Sequence, residues 1–466
     1  MRKTLIFTVL LALLAMGSIG YVAASIYPLR DQVTVWESES EGASCGDVSA
    51  ADGLIATLKA DYYTALNWHT KVYLGNDLPH TTTDYVLGTS VQKTTSYLRE
   101  RNDIDIRITV EDVVDHSVFA YLTEGLEIGE RREERIYLKE YADFFNIEVE
   151  ILFPEVTYAW RPSDTTVGNE TETALKALFD ENFRFPIGEN VSVVGHGDVS
   201  QYGPGYGYGV NASSETFGLD VKQVFCGDSA YFTFNRNAEG YRNLDVSYLP
   251  QGYGIYCVTV PEDGGQPTLR NVYTLDPATE ILKLALDEAG NVLAYIVENG
   301  ILSVAVIDPT TNALRQQVEL VDFPGGSSVW AAYEADNAIA ITLEAENYRI
   351  VLLTKGTDGL YQLHWNLSIP SANAYLLHHQ DVSLSNYRYD FSPVMAWNGT
   401  YLAFGISTEY RSGFELALYE ENGLAYSGKY LTSLNIWPIE PDGDVPLTLE
   451  WESTNNSLNP NLAKEG

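Results

Sequence analysis

Pairs of short apolar runs, separated by polar turns, recur along most of this chain. In the clearest copy, Asn291–Val297 and Ile301–Ile307 flank the turn Glu298-Asn299-Gly300. Asn-Gly between two apolar runs is a strong hairpin signal, because both residues tolerate the positive φ angles of a tight turn. The pattern therefore predicts antiparallel β-hairpins. Other copies join Ala338–Leu343 to Tyr348–Leu353, Tyr401–Ile406 to Phe414–Tyr419 and, more loosely, Ala230–Phe234 to Gly254–Val260; degenerate copies join Leu54–Leu58 to Lys71–Leu74 and Ser117–Leu122 to Arg135–Leu138.

These strand-turn-strand units resemble β-propeller repeat proteins, whose blades each bury one face against the next. The resemblance covers roughly two thirds of the chain and includes no family signature such as a Trp-Asp dipeptide ending each blade. It implies a mainly β fold of about six or seven blades. Gln32–Trp36 and Leu447–Trp451 are then candidates to close the ring. The alternative is a pair of β-sandwich or mixed α+β domains.

The chain is expected to divide into four parts. Residues 1–25 are a membrane anchor or signal peptide, 26–53 an extracytoplasmic linker, 54–453 the propeller-like domain and 454–466 a disordered tail. One stretch departs from the β pattern: Thr173–Phe183 has apolar residues at helical spacing. It predicts a short amphipathic helix in an insertion near residues 155–190.

The amino-terminal segment has the features of a membrane-targeting sequence. Arg2 and Lys3 precede an uncharged, mostly apolar run from Thr4 to Ser25, about the length that a helix needs to cross a bilayer. The two cations should remain in the cytoplasm, which places the rest of the chain outside the cell membrane as a single-pass protein. Small residues before Ala24 leave cleavage and secretion as the alternative.

The charge of the chain excludes one class of partner. Acidic residues outnumber basic residues 64 to 28, for a formal net charge of −36. A surface of that charge repels nucleic acids, so no nucleic-acid partner is expected. The membrane, through the amino-terminal helix, and an envelope protein or carbohydrate ligand remain as partners. The oligomeric state is left open.

Cysteine contributes little to the predicted fold, since the chain has only Cys45, Cys226 and Cys257. Cys226 and Cys257 are a candidate disulfide if they lie opposite each other on neighbouring strands of an oxidised protein. Three free thiols are an equally good interpretation. The cysteine spacing does not match a zinc site.

Catalytic, metal and cofactor motifs are not recognisable in the sequence. The seven histidines lack the spacing that places two ligands on one helix face, and no phosphate-binding glycine loop is present. Gly227-Asp228-Ser229 is interpreted as a turn rather than a nucleophile. The acidic pairs Asp287-Glu288 and Asp442/Asp444 are interpreted as β-turns rather than calcium loops. We therefore name no catalytic residue, no metal ligand and no cofactor.

One segment stands out as a candidate ligand site. Tyr202, Tyr206 and Tyr208 are separated by Gly203, Pro204, Gly205 and Gly207, a composition typical of a mobile loop. Exposed aromatic rings on such a loop stack well on sugars or peptides. The leading hypothesis is a membrane-tethered extracytoplasmic binding or scaffold protein without catalytic activity. The alternatives are an exported carbohydrate-active enzyme and an accessory subunit of a cell-envelope complex.

Overall fold

A computed structural model describes the secondary structure of most of the chain. The described residues are 11–21, 24, 33–39, 44–62, 66–75, 79–87, 103–109, 121–152, 157–160, 170–202, 205–212, 216–236, 244–261, 265–335, 337–345, 347–370, 393–407, 413–434 and 447–452. They form two compact units, one from Met1–Ser96 with Gly326–Gly466 and one from Tyr97–Gly325.

The described residues are mainly β, with helices α1 (residues 11–21) and α2 (Glu170–Asn182) and short 3-10 turns at Val48–Ala51 and Leu138–Glu140. The strands are β1 (Val35–Glu37), β2 (Ser44–Gly46), β3 (Leu54–Tyr62), β4 (Leu66–Tyr73), β5 (His80–Leu87), β6 (Asp103–Thr109), β7 (Arg131–Tyr137), β8 (Asn146–Leu152), β9 (Thr157–Trp160), β10 (Ser192–Tyr202), β11 (Gly205–Ala212), β12 (Thr216–Gly218), β13 (Asp220–Cys226), β14 (Ser229–Asn235), β15 (Gly254–Thr259), β16 (Thr268–Thr274), β17 (Glu280–Leu286), β18 (Val292–Glu298), β19 (Ile301–Asp308), β20 (Ala313–Asp322), β21 (Ser328–Ala335), β22 (Ala338–Glu344), β23 (Tyr348–Lys355), β24 (Tyr361–Ile369), β25 (Val394–Trp397), β26 (Leu402–Ser407), β27 (Gly413–Glu420), β28 (Gly423–Thr432) and β29 (Leu447–Trp451).

Three sheets have the regular pattern of propeller blades. In β13–β16, β17–β20 and β21–β24, each of four antiparallel strands pairs with the next strand along the chain. The predicted turn between β18 and β19 is present, with φ angles of 51° at Asn299 and 76° at Gly300. The hairpins predicted for 338–353, 401–419 and 230–260 are also confirmed. The fold is thus mainly β and of the β-propeller type that the sequence predicts.

In the unit formed by both chain ends, strands from opposite ends of the sequence pair with each other. The carboxyl-terminal strand β29 pairs with β3, placing Leu447 opposite Leu58 and Trp451 opposite Leu54. The amino-terminal strand β1 pairs with β28, which continues the order β25 to β28. Each of the two segments proposed to close the ring therefore contributes a strand that pairs with a strand from the opposite end of the sequence. Within the predicted linker, Val33, Val35, Ala50 and Ala51 are buried in the same core.

The other unit contains two sheets with less regular connections. Their strand orders are β12-β6-β8-β9 and β11-β10-β7, so neighbours within a sheet are often distant in sequence. The predicted pairing of Ser117–Leu122 with Arg135–Leu138 is wrong for its described part. Residues 121–123 form a 3-10 turn, and β7 pairs with β10, which places Ile136 opposite Val193. The degenerate copy at the amino end is confirmed by the pairing of β3 with β4.

Helices account for little of the described structure. The predicted insertion helix is confirmed as α2, one turn longer at its start than expected. No helix among the described residues is both long and apolar enough to cross a membrane. Within the predicted targeting and linker segments, residues 1–10, 22–23, 25–32 and 40–43 lie outside the described part of the chain, as do residues 454–466 of the predicted tail.

Candidate functional site

Helix α2 packs against the sheets of its unit through one apolar stripe. Leu175 and Phe179, four residues apart and so on one face of the helix, are both fully buried. Glu170 and Glu172 lie in the first turn, where negative charge interacts favourably with the helix dipole. The helical hydrogen bonding continues past α2, since Phe183 N–H donates to Phe179 O at 2.8 Å. The opposite face of α2 remains available at the surface.

A part-buried amide network, in which Asn182 is buried, fixes the end of α2 to strand β16. The Asn182 side chain accepts a hydrogen bond from Gln251 Nε2 at 2.6 Å and donates to Leu178 O at 2.8 Å. Gln251 Oε1 in turn accepts from Asn271 N–H at 2.6 Å, and Asn271 Nδ2 donates to Gln251 O at 3.0 Å. Satisfied networks of this kind hold elements in one geometry. The last turn of α2 is therefore held in place on the sheet.

A short ladder holds the chain beyond α2 against the start of β8. Phe145 N–H donates to Phe185 O at 3.0 Å, and Ile187 N–H donates to Asp143 O at 2.9 Å. Phe144 and Pro186 form the β-bridge between these two bonds. Segments about forty residues apart are thereby joined beside the helix.

Beside these contacts lies an open pocket of about 350 Å³, here called the α2 pocket. Its floor is apolar, since Phe145, Ile147 and Phe183 are all buried. Phe183 also belongs to an aromatic cluster, with its ring centroid 4.9 Å from Tyr256 and 5.2 Å from Phe179. This cluster gives the floor a rigid support. The lining residues are Phe144, Phe145, Asn146, Ile147, Lys176, Asp180, Phe183 and Arg184.

The rim of the α2 pocket carries two cations and one carboxylate. Partial desolvation raises the pKa of Asp180, and the charge of Lys176, one helical turn away, opposes that rise. Asp180 and Arg184 are both exposed. Arg184 has no hydrogen bond or ion pair with any described residue. The rim is thus locally cationic in a strongly acidic protein.

Exposed aromatic residues extend from the pocket over the adjoining surface. Phe144 contacts Tyr248 edge to face, with ring centroids 5.7 Å apart and the planes at 72°. Tyr248 is 54% exposed, and Tyr141 is 46% exposed. The hydrogen bond from Lys139 Nζ to Asp143 Oδ1, at 2.9 Å, is the main cause of the raised pKa of Lys139, and Tyr248 makes the smallest contribution. The pocket therefore opens beside a surface with exposed aromatic rings.

The predicted tyrosine site lies elsewhere, in a hairpin. The glycine-rich segment was expected to be an irregular loop, but Tyr202 ends β10 and Tyr206 and Tyr208 lie in β11. Backbone pairing places Tyr202 opposite Gly205, Tyr206 opposite Gln201 and Tyr208 opposite Val199. Because glycine tolerates extended backbone as well as turns, its abundance alone did not distinguish a loop from a strand. Residues 203–204 lie outside the described part, and a ligand role for these tyrosines stays a prediction.

The candidate disulfide between Cys226 and Cys257 does not form, because all three cysteines are free. Cys226 lies on β13 and Cys257 on β15, with β14 between them. Strands separated by one neighbour are about 9–10 Å apart, beyond the Cα separation that a disulfide spans. Tyr231 occupies the intervening strand opposite Cys257.

The acidic and serine motifs take up the turn roles expected of them where they are described. Asp287 Oδ1 accepts from the N–H groups of Ala289 at 2.9 Å and Asn291 at 2.8 Å, so its carboxylate is used by the turn itself. Gly227 and Asp228 form the turn before β14, and Ser229 begins that strand, with its hydroxyl hydrogen-bonded to that of Thr259 on β15 at 2.8 Å. No group of three or more potential metal ligands occurs among the described residues. Asp442 and Asp444 lie outside them.

A second polar cluster lies on β7 and β10 but is a surface network. Arg131 Nη2 is 2.8 Å from His196 Nδ1 and 2.9 Å from Glu133 Oε1, which is itself 3.1 Å from the histidine nitrogen. Arg131 and Glu133 are exposed, and they satisfy one another. Such clusters on open strands contribute little on their own. The α2 pocket is the stronger candidate site.

Comparisons with known proteins assign neither a family nor a function. No protein-family model matches the chain, and no curated protein matches its sequence. A protein from Lactobacillus plantarum is similar with 10% identity and a TM-score of 0.27, over 81% of this chain and 99% of that chain. Puromycin hydrolase gives 12% identity and a TM-score of 0.23, over 83% of this chain and 54% of the hydrolase. Apo AztD from Citrobacter koseri gives 7% identity and a TM-score of 0.26, over 85% and 97% of the two chains.

Proposed function

We propose that this chain is a membrane-tethered binding protein of the extracytoplasmic side, and that the α2 pocket holds its ligand. The observation that carries the proposal is the pocket itself, which combines an apolar aromatic floor with a few charged groups at its rim. That combination is typical of small-ligand sites, whose volumes are roughly 300–1,000 Å³. The tether rests on the sequence of residues 1–25.

The lining residues favour binding over catalysis. In the part of the chain that the structure describes, they include no serine, cysteine or histidine that could act as a nucleophile or its base. A glycosidase needs two carboxyl groups across the scissile bond, whereas Asp180 is the only acidic residue among the described residues of the lining. An exported carbohydrate-active enzyme is therefore less well supported at this site than a carbohydrate-binding protein.

Ligand binding at the α2 pocket can be tested with a substitution that fills the pocket. Asp180→Trp places a large ring at the rim, and Glu181→Trp is the matched control because Glu181 is exposed on the same helix outside the pocket lining. Sugars, carboxylic acids and short peptides are screened against the full chain in detergent by ligand-observed NMR. We expect compounds that bind wild type and Glu181→Trp but not Asp180→Trp. A screen in which no compound distinguishes the two variants overturns the pocket as the ligand site.

The tether can be tested separately in cells of a host that exports the chain. We expect the chain to fractionate with membranes and to be degraded by protease added outside whole cells, because Arg2 and Lys3 fix its orientation. Mass spectrometry of the mature amino terminus separates an anchor from a leader cleaved near Ala24. Recovery of the intact chain in the cytoplasm contradicts the proposed location.

A further inference from the structure

We infer that the α2 pocket recognises a sugar unit carrying a carboxylate, held at the ring by Phe144 and at the acid by Arg184. The inference rests on the proposed binding function of this pocket and adds the chemical class of the ligand. Three features carry it: the charge at the rim, the aromatic rings beside the opening, and the size of the pocket.

The charge at the rim favours one acidic group on the ligand. Lys176 and Asp180 have opposite charges one turn apart and interact electrostatically. Arg184 is exposed at the same rim with no described partner, so its guanidinium is available to a ligand. A guanidinium matches a carboxylate through two parallel hydrogen bonds, which a lysine cannot reproduce. The lining therefore supplies one positive charge beyond its internal pair.

The same charge balance disfavours a highly charged ligand. The chain carries 64 acidic residues against 28 basic ones, so a polyphosphate approaches against a repulsive field. One uncompensated arginine cannot offset several phosphate charges. A ligand with a single weak acid on each unit experiences less repulsion and still gains the arginine contact.

The aromatic surface favours a sugar ring over a flat aromatic acid. Phe144 and Tyr248 are fixed edge to face, and both are partly exposed beside the pocket. The face of an aromatic ring is electron-rich, and it contacts the weakly positive C–H groups on one face of a pyranose. The sugar hydroxyls then point to the polar rim, where Asn146, Lys176 and Asp180 line the opening.

The pocket size suits a short glycan rather than a folded partner. A volume of about 350 Å³ lies at the lower end of the range for small-ligand sites. It accommodates a terminal unit, with the next unit extending over Tyr248, which is exposed. A chain end or a short oligosaccharide is thus the expected occupant.

The decisive probes are digalacturonic acid and its methyl ester, which share ring geometry and differ in charge. Isothermal titration on the full chain in detergent should give at least tenfold weaker binding of the ester. Arg184→Gln should weaken binding of the acid to the level of the ester and leave the ester unchanged. Arg315→Gln is the matched control, since Arg315 is an exposed arginine on β20. Phe144→Ala should weaken both ligands.

Four other outcomes overturn the inference, and the first three of them leave the proposed function to its own test. Equal affinity for acid and ester shows that charge is not recognised, and the binding function then stands with a neutral sugar. Binding of the acid that survives Arg184→Gln shows a different site. Failure of both ligands, together with pocket-dependent hits among the peptides of the NMR screen, identifies a peptide-binding protein. Failure of both ligands and of the whole screen removes the proposed function as well.

Discussion

The sheet β17–β20 and the surroundings of α2 belong to one unit but are built in opposite ways. In the sheet, every strand pairs with the next along the chain, and Ile296 and Ala305 are fully buried between neighbours. Around α2, the pocket walls come from residues 144–147 and 176–184, joined by a short ladder and a side-chain network. The regular repeat provides burial and rigidity, whereas the site forms where the repeat is interrupted.

The largest expected effect is on stability in the regular sheet. Ile296→Ala removes a fully buried side chain at the centre of β18. Such truncations cost about 2–5 kcal/mol through lost burial and the cavity left behind. Denaturant unfolding of the variant checks this, and ligand binding at the pocket should persist while the protein remains folded. Phe144→Ala is the matching variant at the pocket, and it should cost less stability because Phe144 is only partly buried. A stability loss as large as that of Ile296→Ala contradicts the contrast between a stabilising sheet and a binding pocket.

The next largest effect is expected where α2 is attached. Asn182→Ala removes one of the two acceptors of Gln251 Nε2, which also donates to Leu269 O at 3.2 Å. The variant loses this hydrogen bond and the one from Asn182 to Leu178 O, at about 0.5–1.5 kcal/mol each. We expect a comparable loss in unfolding free energy, accompanied by weaker ligand binding because the helix wall of the pocket is released. Asn235 is a useful contrast, since it joins β14 to β17 and is not one of the lining residues of the pocket. Asn235→Ala should reduce stability without reducing the affinity of the remaining folded protein.

The sequence predicted the regular part well because its signals are local. The Asn299-Gly300 turn and the two apolar runs that flank it specify a hairpin within about fifteen residues. The φ angles of both turn residues are positive, as a tight turn requires. The helical spacing of Leu175 and Phe179 likewise specified α2. Strand order in β12-β6-β8-β9 was not predictable, since its pairings join residues far apart.

The candidate site was missed because its parts carry no joint signal in the sequence. Phe144, Lys176 and Arg184 become neighbours only through the ladder of residues 143–145 with 185–187. The one available hint was the run Phe183-Arg184-Phe185, which begins at the last residue of the predicted amphipathic helix and mixes a cation with aromatic residues. The sequence directed attention to the tyrosines of β10 and β11 instead, because a cluster of aromatic and glycine residues can be recognised from the sequence alone. The candidate disulfide could have been rejected from the sequence, because the predicted pairing of Ala230–Phe234 with Gly254–Val260 already places one strand between Cys226 and Cys257.

A smaller effect tests a buried polar contact in the other unit, where a regular sheet has gained strand β1. Tyr430 lies 2.7 Å from Tyr426, hydroxyl to hydroxyl, and Tyr426 donates to Glu37 on β1 at 3.2 Å. Burial, the largest cause, raises the pKa of Tyr430 to about 12. A folded-state pKa above the unfolded value of about 10 favours the folded state at lower pH, and this contribution is lost as pH rises from about 10 through 12.

The measurement compares wild type with Tyr430→Phe. Between pH 8 and pH 11, ionisation of Tyr430 should lower the unfolding free energy of wild type by about 1 kcal/mol. Unfolding free energies measured from pH 8 to 11 should therefore fall less steeply in Tyr430→Phe than in wild type, after subtraction of the offset at pH 8. Parallel pH profiles of the two proteins contradict a raised pKa at this position.

The smallest expected effect on stability comes from the tyrosines that the sequence singled out. The hypothesis that Tyr202, Tyr206 and Tyr208 contact a ligand predicts that replacing all three by serine abolishes binding at little cost in stability, within about 0.5 kcal/mol as for most surface substitutions. The backbone pairing of β10 with β11 does not depend on these side chains, so circular dichroism should be unchanged. Comparison with Asp180→Trp decides which region binds: if the serine variant retains the affinity that Asp180→Trp loses, the ligand occupies the α2 pocket. A large fall in melting temperature of the serine variant instead assigns the three rings to the packing of the hairpin.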